Sequence, residues 1–535
     1  MTADEFVSMP SVLGNETAQT PLATPRPQPR SRRLGVPSED ATAHPCSRDR
    51  IEIIHQTLAK MIAINMLPAS FAASLGFARF MRVVEPAYKP PCAQTITRRL
   101  QALHDDIALK IKEALASLSA VAISADNWTS RAQDGYLTVQ ARFIDKGWKI
   151  VNWGIENIIS GIVTDNASNI VGAVLQLPNV AEKQDLTCSM HTLQLCINVG
   201  LSRGEIKRVC SKASAIVTHF RHSNVATAAL EKAQIQHQLK TLKLIQSVKT
   251  RWNSTFFMAE LLVENEIPVV SVLADKTVTN EAIAIKLEMT ATEWGILSAL
   301  VTALRPVQIA CELLCVDTSS VSMVYPILNM LVTHHLLPGT DDAVAILEFK
   351  DTVLNECITR FNLAETFVSA QRIASFLDPR YKDLLHESNI EARLATKSKV
   401  NYQLQLMQPT PADESPETST NTRTTAMDFI FGDSNKTNDV TAQFQKYMSE
   451  PQIDRNLDPY DWWKNHKHVY PLIAKLARHY LCIPATSAAS ERTFSTAGNI
   501  VTAKRSCLAP ENVNVFVFLH QNKFWYEPKP NESSK

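Results

Sequence analysis

Three carboxylates stand where metal-assisted phosphoryl transfer would need them. Asp126 follows the apolar run from Ala120 to Ala125, and Asp165 follows Ile162-Val163-Thr164. Aspartates at the ends of short buried strands can project side by side from a sheet. Such a pair can hold divalent cations about 3.5–4 Å apart for in-line attack at phosphorus. Oxygen ligands of this kind suit Mg²⁺ or Mn²⁺. Glu491 lies in Ser487-Ala-Ala-Ser490-Glu491-Arg492-Thr493-Phe494-Ser495, where Ser487 or Ser490 can cap a helix and Gly498 can end it, and is a candidate third ligand. Each has a plainer reading. Asp-Asn after a strand also makes a turn or a helix cap, and a glutamate in a first helical turn is favoured by the helix dipole.

Two further groups carry chemistry. Cys188 and His191 put a thiol and an imidazole at i and i+3 on one helical face, and His219 and His222 form a second pair. Together they imitate a zinc site, but the spacing fits no standard finger, so structural packing is expected and zinc is not. Residues 201–255 hold ten Lys or Arg against Glu205 and Glu231, a net +8 that includes Lys207 and Arg208. That stretch reads either as a phosphate-binding face or as a solvated helical surface. It ends in Thr250-Arg251-Trp252-Asn253-Ser254. There Arg251 can grip phosphate, while Trp252 either stacks on an unpaired base or anchors a helix start in a core.

The elements that must position these groups follow from pattern. Residues 1 to about 48 are rich in Pro, Ser, Thr and Ala and are expected to be disordered. Their Pro25–Leu34 stretch carries four arginines, the composition of a nuclear-import signal. Ile51, Ile54, Leu58, Met61 and Ile62 predict a helix from Arg48, and a second runs from Thr95 to Leu118. Between them, Phe71–Tyr88 is expected to hold no regular element because of Pro86, Pro90 and Pro91. Strands are expected at Ala120–Ala125, Tyr136–Ile144, Trp148–Ile155 and Gly161–Thr164, then helices from Cys188 to about residue 400. Gln408–Thr425 reads as a mobile insertion. With 535 residues, 45% hydrophobic and a net charge of +1, the chain reads as an ordinary soluble protein. Its ten scattered cysteines fit a reducing compartment, and no signal core or membrane-length apolar run is present.

Taken in order, these motifs resemble the hAT superfamily of transposases, and particularly their host-adopted zinc-finger BED-domain relatives. The resemblance rests on Met61-Ile62 with Met66-Leu67-Pro68, Gly76-Phe77, Thr95-Ile96-Thr97-Arg98 and the strings at Asp126, Asp165, Cys188 and Arg251. It continues through Leu377-Asp378-Pro379-Arg380 and Trp462-Trp463 to the run from Pro484 to Ser495. It implies a ribonuclease-H-like α/β core split by a large all-α insertion, with C-terminal dimerisation helices. It makes Asp126, Asp165 and Glu491 the metal ligands, and sets Cys188, His191, Arg251 and Trp252 near the active site and a DNA end. The implied dimer helices carry Leu472, Ile473, Leu476 and Leu481, then Phe516, Val517 and Leu519, with Phe494 in the motif between them. They offer more apolar surface than one core need absorb.

The chain departs from that pattern twice. No Cys-x-x-Cys and histidine pair marks a BED finger. Asp126 and Asp165 are only 39 positions apart, too few for a third strand, a crossover helix and a fourth strand. A segment is therefore expected to be missing near Ser160, truncating the core between strands 3 and 4 and loosening the metal site. The expected divisions are 1–48 (tail), 49–118 (N-terminal helices), 119–215 (first part of the core), 216–405 (helical insertion), 406–436 (mobile loop) and 437–525 (end of the core and dimerisation region). The expected function is that of a nuclear, dimerising, DNA- or chromatin-binding regulator without transposase activity. The alternatives are an active Mg²⁺-dependent transposase and a dimerisation-only partner of full-length relatives. A homodimer or heterodimer and DNA are the expected partners; neither a membrane nor a small-molecule substrate is.

Overall fold

The computed structural model describes residues 46–129, 135–153, 161–164, 185–248, 251–408, 440–493 and 510–526. The expected tail up to residue 45, most of the expected mobile loop, Asp165 and Phe494 lie outside them.

Helix α1 spans Arg48–Ile64, where the Ser47 hydroxyl accepts from the Arg50 N–H, and Leu58, Ala59, Ile62 and Ala63 form its buried face. A 3-10 turn at Ala69–Ala73 leads into α2, Leu75–Val84, which Ser74 caps. This corrects the expectation that prolines exclude regular structure there. Pro86, Pro90 and Pro91 all follow α2, so they end a helix rather than interrupt one. Helix α3 is Ala93–Ala116.

Five strands form one mixed sheet: β1 Ala122–Thr129, β2 Gly135–Ile144, β3 Ile150–Trp153, β4 Gly161–Thr164 and β5 Asp185–Thr187. Their order is β3-β2-β1-β4-β5. β2 is antiparallel to β1 and β3, whereas β1–β4 and β4–β5 are parallel. The short interval between β3 and β4 does not prevent the fourth strand from pairing on both sides. β3 ends at Trp153 level with Ala141, which faces Ile123, and β4 starts opposite Ala122. The chain therefore has to cross the sheet but not travel back along it. Three strand spacings amount to about 14 Å, within the reach of roughly 25 Å that the intervening residues have when extended. β5 was not anticipated.

The strands alternate cleanly. Ala122 and Ile144 face one large core with Val163 and Leu186, while Val121, Ala141 and Phe143 face a second. The second core is made by α1, α3 and the C-terminal helix Pro510–Gln521. The first is covered by the helices from Ser189–Leu201 to Ile390–Leu406, joined by Val440–Ser449, Pro459–His466 and Pro471–Leu481. Its longest helix, Ala291–Leu314, starts in a capping box between Thr290 and Glu293. That helix is long and apolar enough to cross a membrane by length and composition, but it packs here as a core helix.

Candidate functional site

Asp126 lies on β1 at 7% exposure, on the face shared with Ser124. The helical residues 488–493 are laid against that face. Ser124 Oγ and Ser490 Oγ are 3.0 Å apart, a buried hydrogen bond between strand and helix. Gln140, opposite Ser124 on β2, donates from Nε2 to the Ala489 carbonyl at 3.3 Å and to Thr493 Oγ1 at 2.7 Å. Glu491 follows Ser490 directly and is exposed. Its neighbour Arg492 donates to the Cys315 carbonyl and forms an ion pair with Asp317. β4 ends at Thr164, opposite Ala125 and so one residue short of Asp126.

Cys188 joins these pieces. It is the residue before helix Ser189–Leu201 rather than part of a helical face, which corrects the expected i, i+3 placement with His191. Its N–H donates to the Thr164 carbonyl at 2.7 Å, extending the β4–β5 ladder. Its Sγ accepts the Ser487 N–H at 3.3 Å, at the start of the turn that carries Glu491. The next residue, Ser189, donates its N–H to the Ala485 carbonyl. Burial pushes the Cys188 thiol above its ordinary range and outweighs the hydrogen bond from Ser487, so the group stays a thiol at neutral pH. His191 is half-buried. His219 and His222 close the helix Gly204–His222, and burial lowers the pKa of His219. Among the described residues, no three His, Cys, Asp or Glu side chains are grouped to hold a metal ion.

The basic stretch is partly neutralised by folding. Glu293, 2% exposed, accepts from Arg208 at 2.7 Å and from Lys212 at 2.8 Å, and Arg208 also meets Glu205. Lys207 and Arg251 are exposed and form no ion pair among the described residues. Trp252 is 1% exposed and opens helix Trp252–Glu264 inside the core. Its ring offers no face to a base, which corrects the nucleic-acid reading in favour of the anchor reading.

The expected dimer side chains are also inside. Ile473, Leu476 and Leu481 are buried in the first core, with Leu472 packed against it. Phe516 and Leu519 are buried in the second core, with Val517 against it. Two cores rather than one absorb the apolar surface, so these side chains are not a free face. Among the described residues of 437–525, the exposed large apolar groups are Leu457, Val469 and Phe524. Sequence reading also missed Ser124 and Gln140; a period of two counted back from Asp126 points to Ser124, but nothing local marks Gln140.

Residues 443–523 match the hAT family C-terminal dimerisation region, and residues 186–303 match the ZBED1 RNase-like helical domain. The chain is a relative of the hAT transposases. It is 23% identical to the human zinc finger BED domain-containing protein 4, over 96% of this chain and 47% of that protein. It is 24% identical to a Zea mays protein provisionally named AC transposase, over 85% of this chain and 63% of that one. A Talaromyces stipitatus protein, provisionally named a transcriptional regulator, is 22% identical over 88% of this chain and 62% of its own length. The chain thus spans 47–63% of the length of those three proteins. The helical-domain match covers the basic stretch and Glu293, and the dimerisation match covers Glu491 together with parts of both cores.

Proposed function

We propose that this chain is a transposase-derived nuclear protein that self-associates through residues 443–523, binds DNA or chromatin and acts in transcriptional regulation. The observation that carries the reading is the dimerisation-region match. The exposed Lys207 and Arg251 support DNA contact through phosphate. The names of the BED-finger and regulatory relatives support a nuclear role. Light scattering on the purified chain is expected to give the mass of a dimer. A strict monomer at micromolar concentration sinks the self-association. DNA affinity is expected to fall steeply with salt, and Lys207→Ala with Arg251→Ala to flatten the log–log slope by about 1 each. An unchanged slope removes the assignment of these two side chains.

A second reading is Mg²⁺- or Mn²⁺-dependent DNA strand cleavage by Asp126, Asp165 and Glu491 on a ribonuclease-H-like core. The strand order and the Ser124–Ser490 hydrogen bond favour it, because they bring the turn carrying Glu491 onto the face of Asp126. Asp165 is the next residue after β4. A divalent ion held there would neutralise charge on the attacked phosphate. Cleavage of DNA with Mg²⁺ that disappears in both Asp126→Ala and Glu491→Gln would establish it; no cleavage by the unaltered chain would end it.

A further inference from the structure

Helices Ala291–Leu314 and Val324–Met330 enclose a groove of about 570 Å³. One wall is the stripe Arg305, Ile309 and Leu313; the other is Met323, Ile327 and Met330. Tyr381, Leu385 and His386 close one side, and Arg455 stands at the rim. The first wall, from Thr302 to Leu313, runs about 16 Å at the rise of an α-helix, the length of three turns. The apolar side chains are uncovered: Ile309 is 51% exposed, Leu313 46%, Met330 38% and Leu385 74%. Methionines on such a wall adapt to the shape of a guest.

Charge selects the guest. Among the described residues, no Asp or Glu lines the groove. Arg305 is paired with Glu260, whereas Arg455 is exposed and makes no ion pair among the described residues. Burial first, and then the charges of Arg372, Arg455 and Arg393, bring the pKa of His386 down to about 4, so the imidazole stays neutral at physiological pH. Pro306, within the first wall, has no N–H to give the Thr302 carbonyl.

We propose that this groove docks a short amphipathic helix of a partner protein, apolar on one face and acidic at its edges. Two facing helical stripes with an exposed arginine at the rim are the receptor half of helix-in-groove recognition, read by anchors at i, i+3, i+4 and i+7. The acidic edge pairs with Arg455, and the apolar anchors cover Ile309, Leu313 and Met330.

The test is fluorescence anisotropy with the full chain and a labelled, designed peptide of about 16 residues, roughly four turns, with Leu at the anchor positions and Glu elsewhere. Binding is expected with a Kd on the order of 10 µM. Ile309→Glu is expected to weaken it by about tenfold or more, and Leu385→Glu to do the same from the other side of the groove; both positions are exposed, so a thermal melt should leave the fold unchanged. Arg455→Glu is expected to cost roughly three- to tenfold, an effect that fades at high salt. The proposal is overturned if a Lys-for-Glu peptide binds equally well, if neither Ile309→Glu nor Leu385→Glu changes affinity, or if no binding occurs. It is also overturned if the dye 1-anilinonaphthalene-8-sulfonate fills the groove and the peptide does not displace it, which would make this a small-molecule cavity.

Discussion

Helix Pro471–Leu481 buries Ile473 and Leu481 completely among the helices that cover one face of the sheet, whereas helix Pro510–Gln521 buries Phe516 and Leu519 against α1 and α3 on the other. Both fall within one family-matched stretch, residues 443–523. That stretch is therefore not an independent unit laid on the outside of the molecule. It is threaded through both cores, and the turn that carries Glu491 lies between its two halves in sequence. A substitution in one helix should be felt on one side of the sheet, and a substitution in the other on the opposite side.

The largest test of that contrast is Leu481→Ala, expected to cost about 2–5 kcal/mol of global stability as a large-to-small change in a packed core. Urea unfolding measures it. If the variant abolishes self-association while stability stays intact, Leu481 belongs to an interface and the contrast breaks. Leu519→Ala is expected to cost about 2–3 kcal/mol, with amide exchange quickening in α1 and α3 and little change in helix Ala291–Leu314. Quickening spread evenly over both cores would show that the two sides do not unfold separately. Cys188→Ala is expected to be smaller, about 1 kcal/mol, because it leaves the Ser487 N–H without its thiol acceptor; Cys188→Ser should recover part of the loss.

Acid sharpens the contrast further, because each side holds a carboxylate of lowered pKa. Burial acts to raise that of Glu293, but hydrogen bonds from Lys212 and the Thr290 N–H, with the charges of Lys212 and Arg208, win and lower it. Glu52, on α1, is lowered to about 2, chiefly by its hydrogen bond from Arg99. A carboxylate with a depressed folded pKa stabilises the fold above its unfolded value, and that contribution is lost as pH falls through the folded one. Stability is therefore expected to decline as pH drops below about 4.5. Glu293→Gln should flatten the decline more than Glu52→Gln, since Glu293 is nearly buried and Glu52 is screened by water. Equal flattening would contradict the difference in burial.

Where periodicity runs long, the sequence was readable. The apolar spacing from Ile51 to Ile62 marks α1, and the alternation from Tyr136 to Ile144 marks β2 within a residue of its observed start. β5 was not readable, because Asp185-Leu186-Thr187 is three residues long and carries a single buried apolar side chain. Its partner β4 defines it, through pairing that no local pattern encodes. What covers the apolar faces of the C-terminal helices was not readable for a related reason. Apolar residues at helical spacing show that a face is covered, but not whether the same chain or another covers it. Trp252 was undecided from sequence because a helix-opening indole serves a core or a base equally well until its surroundings are known. At the candidate site, Asp126 and the turn that carries Glu491 are brought onto one face by contacts of Ser124 with Ser490 and of Gln140 with Ala489, each between residues hundreds of positions apart.

The contact between the beginning and the end of the described chain has a consequence for how the molecule is made. Lys60 donates to the Tyr526 carbonyl, and His520 meets the Ile64 carbonyl, across more than four hundred and fifty residues. During synthesis, α1 and α3 leave the ribosome early, with part of their apolar covering still to be translated. The helices of the first core can collapse in the meantime, since nearly all of their contacts are already available. The N-terminal layer can close only when residues 510–526 arrive, so the first helices made should be among the last to be sealed, and until then they are surfaces for a chaperone to hold.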